Sequence, residues 1–362
     1  MKAQVSLFIG LLTISFMILG SIRVSETRTV ADFEALKSSE FQAIEVSADR
    51  VTIGMIGDVL LHYPLYIYEN FENSFLGVFS KMDSFDFLMA NVESLPGGVE
   101  LGLSGYPQFN SPAHIVRDLG ASGVDLVSMA NNHSFDKGED GLLRAIGNVE
   151  EYGMPYVGVA KSVEDAEQLR IVDVDGVRVG VLAYTYGMNG FALPVGKDYL
   201  VSLIDEEKMI SDVGRIRSAC DLVAMSIHWG SEYMLEPSEG QKELAQKMAD
   251  AGVDVIFGHH PHVLQPYEVV EAVDGRQTHV FYSLGNFFSA QPFEYTNVGG
   301  IGSVEVERIG VSGKGYVKVV GADFFPTAVV KKDGILQVVP LEEGTAAVGK
   351  TSEWAVAHVG AE

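Results

Sequence analysis

The chain has 362 residues, 47% hydrophobic and 20% charged, which supplies apolar material for a substantial core and excludes general disorder. Its 49 Asp and Glu against 25 Lys and Arg leave a formal charge of −24. No Lys/Arg cluster interrupts that excess, which argues against nucleic acid as a partner and reads as a solubilising surface.

Near the N-terminus, Lys2 precedes an uncharged apolar stretch from Val5 to Ile22. Its length lies between a signal-peptide core and a full membrane span. No Cys stands directly after it, so a lipoprotein anchor is excluded. Residues 1–25 are expected to be a signal anchor, with Leu19-Gly20-Ser21 a weak cleavage candidate, and residues 26–50 a polar tether. The body would then be extracytoplasmic: membrane-anchored by a single N-terminal segment, or secreted if that segment is cleaved.

Beyond the tether, short apolar runs alternate with amphipathic stretches, the pattern of an α/β domain over residues 51–290. Val51–Ile56, Phe85–Ala90 and Asp125–Ala130 read as strands, Ser111 to Leu119 as a helix capped by Ser111, and Gly141–Tyr152 as a helix. Asp175-Gly176 marks a hairpin between Leu169–Val174 and Val177–Ala183. Helices over Glu206–Ser218 and Glu239–Ala251 lead to strands Leu222–Ile227 and Val253–Phe257. Cys220, the single cysteine, opens the apolar run before Leu222; it reads as a buried inert thiol and leaves no disulfide or CxxC site. Asp274-Gly275 and Asp333-Gly334 mark further turns, and residues 291–362 read as a β-rich extension packed on the domain.

Polar groups of ligand type stand directly after these strands. Gly57-Asp58, Asn91-Val92-Glu93, Asn131-Asn132-His133, His228-Trp229-Gly230 and Gly258-His259-His260-Pro261-His262 each follow an apolar run. In open α/β sheets ligands gather beyond the carboxyl ends of the strands, so sequence-distant groups converge there. Carboxylates, imidazoles and a carboxamide form an oxygen/nitrogen set suited to Mn, Fe, Zn or Mg. A carboxylate shared by two such cations would offset their repulsion, and the pair would polarise a phosphoryl oxygen and acidify a water. Singly, each group is ambiguous. Asp58 fits a turn cap as well as a ligand, Glu93 a solvated loop, Asn131-Asn132-His133 a polar turn, and His228 a satisfied core histidine. Three of the nine histidines within the four residues 259–262 favour metal more directly. His114, His279 and His358 read as structural.

In this order the residues resemble the CapA family of poly-γ-glutamate capsule biosynthesis proteins, itself similar to calcineurin-like metallophosphoesterases. The runs that carry the resemblance are Gly57-Asp58, Asn91-Val92-Glu93, 130–136, 228–233, 258–265 and 282–287. It implies a four-layer α/β/β/α sandwich with two divalent metal ions at the strand ends. Asp58, His260 and His262 would hold metal, Glu93 would replace the usual bridging Asp, and Asn132 and His228 would serve the second ion. His133 would be the general acid; His62, Asn131, His259 and Asn286 are the substrate-binding candidates. The chain departs from the phosphoesterase pattern twice: His62 lies four residues after Asp58 rather than two, and Glu93 is one methylene longer than Asp. Two functions fit: a metal-dependent hydrolase acting on a phosphate ester, or a non-catalytic metal-binding subunit of a membrane complex that makes or exports an anionic polymer.

Overall fold

Strand β1 (Asp49–Leu60) shows how side-chain alternation builds the layers. Val51, Ile53 and Met55 point to one face, into the core between two sheets, while Ile56 points to the other, under helices. The computed structural model describes residues 49–361 apart from 312 and 313. The expected signal anchor and the tether, up to residue 48, lie outside the described residues. Among the described residues no helix is long and apolar enough to cross a membrane.

β2 (Phe87–Val92), β3 (Leu126–Ser128) and β4 (Tyr156–Val157) follow β1 in parallel. On the other side of β1 run β12 (Val298–Val311), β13 (Lys314–Lys332) and β14 (Ile335–Pro340), all antiparallel. The short β11 (Asn286–Ser289) pairs in parallel with the end of β1, completing an eight-stranded sheet. The second sheet contains β5 (Ile171–Val174), β6 (Val177–Thr185), β7 (Leu222–His228), β8 (Val255–His259), β9 (Leu264–Glu271) and β10 (Gln277–Leu284). Its order is β5-β6-β7-β8-β10-β9, with β6, β7, β8 and β10 parallel.

Helices α1 (His114–Ala121) and α2 (Gly138–Glu151) cover the first sheet through Ile115, Leu119, Leu142 and Ile146. Helices α3 (Glu206–Arg217) and α4 (Glu239–Ala251) cover the second through Met209, Val213, Leu244 and Met248. Each fully buried side chain of this kind contributes roughly 1.5–3 kcal/mol. The four-layer α/β/β/α sandwich expected from the sequence is the fold observed. The segment expected to be a β-rich extension is β12 to β14, hydrogen-bonded into the first sheet, followed by α5 (Leu341–Val348) and α6 (Ser352–Val359). Leu341, Ala355 and Val359 join the core between the sheets.

Local boundaries follow local chemistry in most places. Ser238 and Gln241 form a reciprocal capping box that starts α4 at the expected residue. Ser111, expected as the cap of α1, does not serve it: its Oγ donates to the carbonyls of Ser94 and Leu95, and the helix begins three residues on, at His114.

Candidate metal centre

A bulge places the first candidate ligand. The pairing of β1 with β2 shifts register between Ile56 and Asp58, so Gly57 is an extra residue in the strand. In a regular strand Asp58 would face the helices; with Gly57 bulged out Asp58 turns between the sheets while Ile56 and Val59 both remain on the helix side. Only glycine fits there, because a Cβ on Gly57 would stand 2.2 Å from the Gly285 carbonyl oxygen. Asp58 then lies level with Asn91 on β2 and Asn286 on β11, and across the second sheet His228 is level with His259.

The Asp58 carboxylate is held on both oxygens. Oδ1 accepts from Asn91 Nδ2 at 2.8 Å and lies 2.9 Å from His259 Nδ1. Oδ2 accepts from the His260 backbone N–H at 3.3 Å and lies 3.1 Å from His262 Nδ1. Glu93 is the opposite case. It is fully buried, and neither carboxylate oxygen has a hydrogen-bond partner. His228 Nε2 stands 3.4 Å and His262 Nε2 3.7 Å from its Oε1. His260 Nδ1 is also buried without a partner. Buried polar atoms left open cost about 1–3 kcal/mol each, more when charged, so the open Glu93 oxygens and His260 Nδ1 mark the cluster as one that could hold an ion.

Glu93, His260 and His262 form one group whose ligand atoms lie within 4.8 Å of one another, and Asp58, Glu93 and His228 form another. Both groups could hold a metal ion, and Glu93 is common to both. Asn132 Oδ1 lies 2.9 Å from His228 Nε2, at the edge of the second group. His260 and His262 take positive φ values of 95° and 59°, rare for residues with a side chain.

The buried groups of the cluster shift one another's protonation. Burial pushes the Glu93 carboxyl up to about 8, with the neighbouring Asp58 charge adding to the rise. Burial acts on Asp58 in the same direction, but the hydrogen bonds from His259 and His262 outweigh it and hold the group well below the usual carboxylate range. Burial lowers His260 to about 2 and takes His228 well below the usual imidazole range. Burial alone would lower His262 too, yet the Glu93 and Asp58 carboxylates raise it to about 9.

A family model described as "Bacterial capsule synthesis protein PGA_cap" matches residues 52–291, a span that holds every one of these groups. The chain belongs to that family. "PGA biosynthesis protein CapA" of Bacillus subtilis (strain 168) is 28% identical over 349 residues, covering 92% of this chain and 84% of the relative. "Capsule biosynthesis protein CapA" of Bacillus anthracis is 28% identical over 261 residues, covering 68% of this chain and 62% of the relative. Among solved structures, the 5′-nucleotidase precursor of Thermus thermophilus aligns with a TM-score of 0.44 and 16% identity, over 75% of this chain and 54% of that one.

The family motifs meet in space, but their side chains divide into distinct tasks. Asp58, Glu93, His228, His260 and His262 fall in the two metal-compatible groups, though Asp58 joins His228 rather than His260. His133 stands beside them: its Nδ1 lies 2.7 Å from Asp136 Oδ2, and its ring packs edge-on against Phe109. Three residues expected to touch substrate are buried and hydrogen-bonded within the protein. His259 continues the inward face of β8 set by Val255 and Phe257, and is fully buried between Asp58 Oδ1 and Met55 Sδ. Asn131 donates to the Val92 carbonyl and accepts from the His133 N–H, fixing the turn. Asn286 Oδ1 stands 3.1 Å from His262 Nδ1 while its amide donates to Thr296 O and Gln291. His62 lies outside both groups, against Phe109, with its Nδ1 3.3 Å from the Leu60 carbonyl. His114, His279 and His358 each meet a protein oxygen elsewhere.

Four neighbours were given no role from the sequence. Asn91 shares the inward face of β2 with Glu93, so alternation alone marks it. Asp136 lies one helical turn after His133, a spacing at which side chains meet. Tyr186 and Asn189 follow β6, whose last residue Thr185 is level with His228, so the strand-end rule applied to β6 reaches them. Tyr186 stacks on His260 at 4.6 Å between ring centres. Asn189 accepts from Asn132 Nδ2 at 3.3 Å, with its own Nδ2 3.3 Å from His133 Nδ1. A cavity of about 810 Å³ opens next to this loop, lined by Tyr184, Met188, Phe191 and Tyr199 among others, and no candidate ligand lines it.

Proposed function

We propose that this chain is a metal-dependent phosphoesterase-type hydrolase that acts in capsule polymer assembly on the outer face of the membrane. The observation that carries the reading is Glu93: a fully buried carboxylate, both oxygens without a hydrogen-bond partner, shared by two groups of ligand-type side chains. Asp58, His228, His260 and His262, with Asn132 at the edge, would complete the coordination of two divalent ions, Mn, Fe, Zn or Mg. Ions held there supply Lewis-acid polarisation of a phosphoryl oxygen and a water acidified toward neutral pH. The side chains around them prepare the rest. His259 and Asn91 keep Asp58 ionised and aimed. The Asp136 carboxylate accepts from His133 Nδ1–H, which orients the ring and leaves Nε2 to donate a proton to a departing oxygen.

Membership in the family and the names of the two Bacillus relatives support a capsule and poly-γ-glutamate setting. Substrate is then an anionic polymer or a phosphate ester, with a membrane synthase or export complex as partner and Val5–Ile22 as the anchor. One observation favours the second reading, a metal-binding accessory subunit: His62 is outside both ligand groups, so the imidazole of the usual Asp-x-His is not replaced there. Turnover separates the two readings. The metal-reconstituted protein should hydrolyse bis(4-nitrophenyl) phosphate, and Asp58→Asn should abolish that activity. Full metal content with no turnover on any phosphoester would favour the accessory role.

A further inference from the structure

The mouth above the candidate ligands is aromatic and acidic. Segments 57–66, 91–112, 129–136, 186–195, 228–236, 258–265 and 285–299 carry the candidate ligands and their chain neighbours, and they contain no Lys or Arg. The cations nearest to them in sequence are Lys137 and Lys197, and Lys197 is paired with Glu139. On the same segments Tyr63, Tyr106, Tyr186, Tyr233 and Phe293 are exposed. Tyr186 faces His260 at 4.6 Å and lies almost parallel to His228 at 6.4 Å. Tyr233 stands 6.3 Å from His262 and 4.9 Å from Phe293. The exposed Glu232 directly precedes Tyr233 in the chain.

We infer that this rim recognises an ammonium group carried close to the phosphoric ester, so that the substrate class is a zwitterionic phosphoester of the phosphocholine or phosphoethanolamine kind. The inference rests on the hydrolase reading above and names its substrate class. These segments offer the phosphate no Lys or Arg, so the metal ions would take it. The part of the substrate beyond the phosphate meets aromatic faces and a carboxylate. Aromatic faces attract cations through the ring quadrupole, and an adjacent acid with no competing Lys or Arg adds to that attraction. A polyanionic chain would meet the same rim with repulsion, and a neutral ring would gain nothing from Glu232. The ammonium could belong to a lipid headgroup or to a decorated soluble polymer; the chemistry at the rim is the same.

The test uses the metal-reconstituted full-length protein and two ligands of equal shape: phosphocholine, and 3,3-dimethylbutyl phosphate, in which carbon replaces the quaternary nitrogen. Titration calorimetry should give phosphocholine roughly tenfold tighter binding, equivalent to ~1.4 kcal/mol. That preference should fall toward unity in Glu232→Gln, and in Tyr186→Leu, which keeps apolar bulk without the ring. Glycerophosphocholine and phosphatidylcholine vesicles, compared on the same sample, assign the soluble or lipid source. Equal affinity of the two phosphates, or a preference that survives both substitutions, overturns the inference. Binding of neither compound overturns it as well. Hydrolysis of bis(4-nitrophenyl) phosphate, which carries no ammonium, then shows independently whether the hydrolase reading stands.

Discussion

His259 Nδ1 and Asp58 Oδ1 meet at 2.9 Å with both side chains fully buried, so one of the three clustered histidines is placed to support a carboxylate. Its other nitrogen faces Met55 Sδ at 3.4 Å, which closes it off from the mouth. Partners of this kind orient a ligand and set its charge, and their loss typically weakens metal binding roughly 10–100-fold. His259→Ala should therefore lower metal affinity by that order while the fold is retained. A metal titration followed by circular dichroism checks this. Unchanged metal affinity with a raised KM would return His259 to the substrate-binding role.

His133 should behave as a proton donor. His133→Asn is expected to keep its metal content and lose roughly 10²–10⁴-fold in turnover on esters with poor leaving groups. Nitrophenolate esters, whose leaving groups need no proton, should suffer much less. Asp136→Asn removes the carboxylate that meets His133 Nδ1 at 2.7 Å and should follow the same pattern in weaker form. Equal losses on both ester types, with metal released, would instead make His133 a ligand.

The pH dependence of the metal-free protein has a definite sign. Glu93 titrates near 8 when folded against an ordinary 4.5, so above pH 4.5 the folded chain keeps a proton the unfolded chain sheds. Stability from that term is lost as pH rises through about 8. His262 is raised from 6.5 to about 9, so its contribution is complete below 6.5 and lost on the way to 9. The lowered His228 and His260 oppose these trends only below pH 6.5, where unfolded imidazoles are protonated. The metal-free protein should therefore melt at progressively lower temperature between pH 6.5 and 9. Metal binding needs the carboxylate and neutral imidazoles, so the stabilisation it brings should grow across the same window. Thermal melts with and without metal measure both; a Tm of the metal-free protein that rises with pH in this window would contradict the charge states described.

Gly57→Ala tests the bulge. The added Cβ would sit 2.2 Å from the Gly285 carbonyl oxygen, a backbone atom that cannot move aside cheaply. A destabilisation of roughly 1–3 kcal/mol is expected, as for other overpacked sites, together with weakened metal binding because Asp58 shifts with the strand. Chemical denaturation checks the first effect and metal titration the second. Wild-type values in both would mean that the bulge does not position Asp58.

Much of this architecture was legible because it depends on local chemistry. Alternating apolar residues in β1, β2, β7 and β8 mark layers, and the polar groups at their ends mark the crevice. Asp175-Gly176 and Asp333-Gly334 take positive φ values of 48°, 85°, 52° and 88°, the geometry their residue types favour in a tight hairpin. The pairing of β12 with β1 joins Glu305 to Thr52, and nothing in either stretch names the other as partner. Ser111 shows a local signal overruled by tertiary contacts, since the carbonyls of Ser94 and Leu95 claim its hydroxyl before a helix can. The division of the histidines into ligands and supports depended on which nitrogen meets which oxygen, as His259 illustrates. Sequence order carries no trace of that.

Elemental analysis of the purified protein and its Glu93→Ala variant bears most directly on the shared carboxylate. Reconstituted wild-type protein should carry about two divalent ions per chain, since a carboxylate common to both ligand groups can stabilise an ion pair. Removing Glu93 takes one ligand from each group at once, so the variant should fall below one ion per chain rather than lose a single ion cleanly. Wild-type protein that binds no transition metal after reconstitution, or a Glu93→Ala variant that still holds two, would contradict a metal centre built on Glu93.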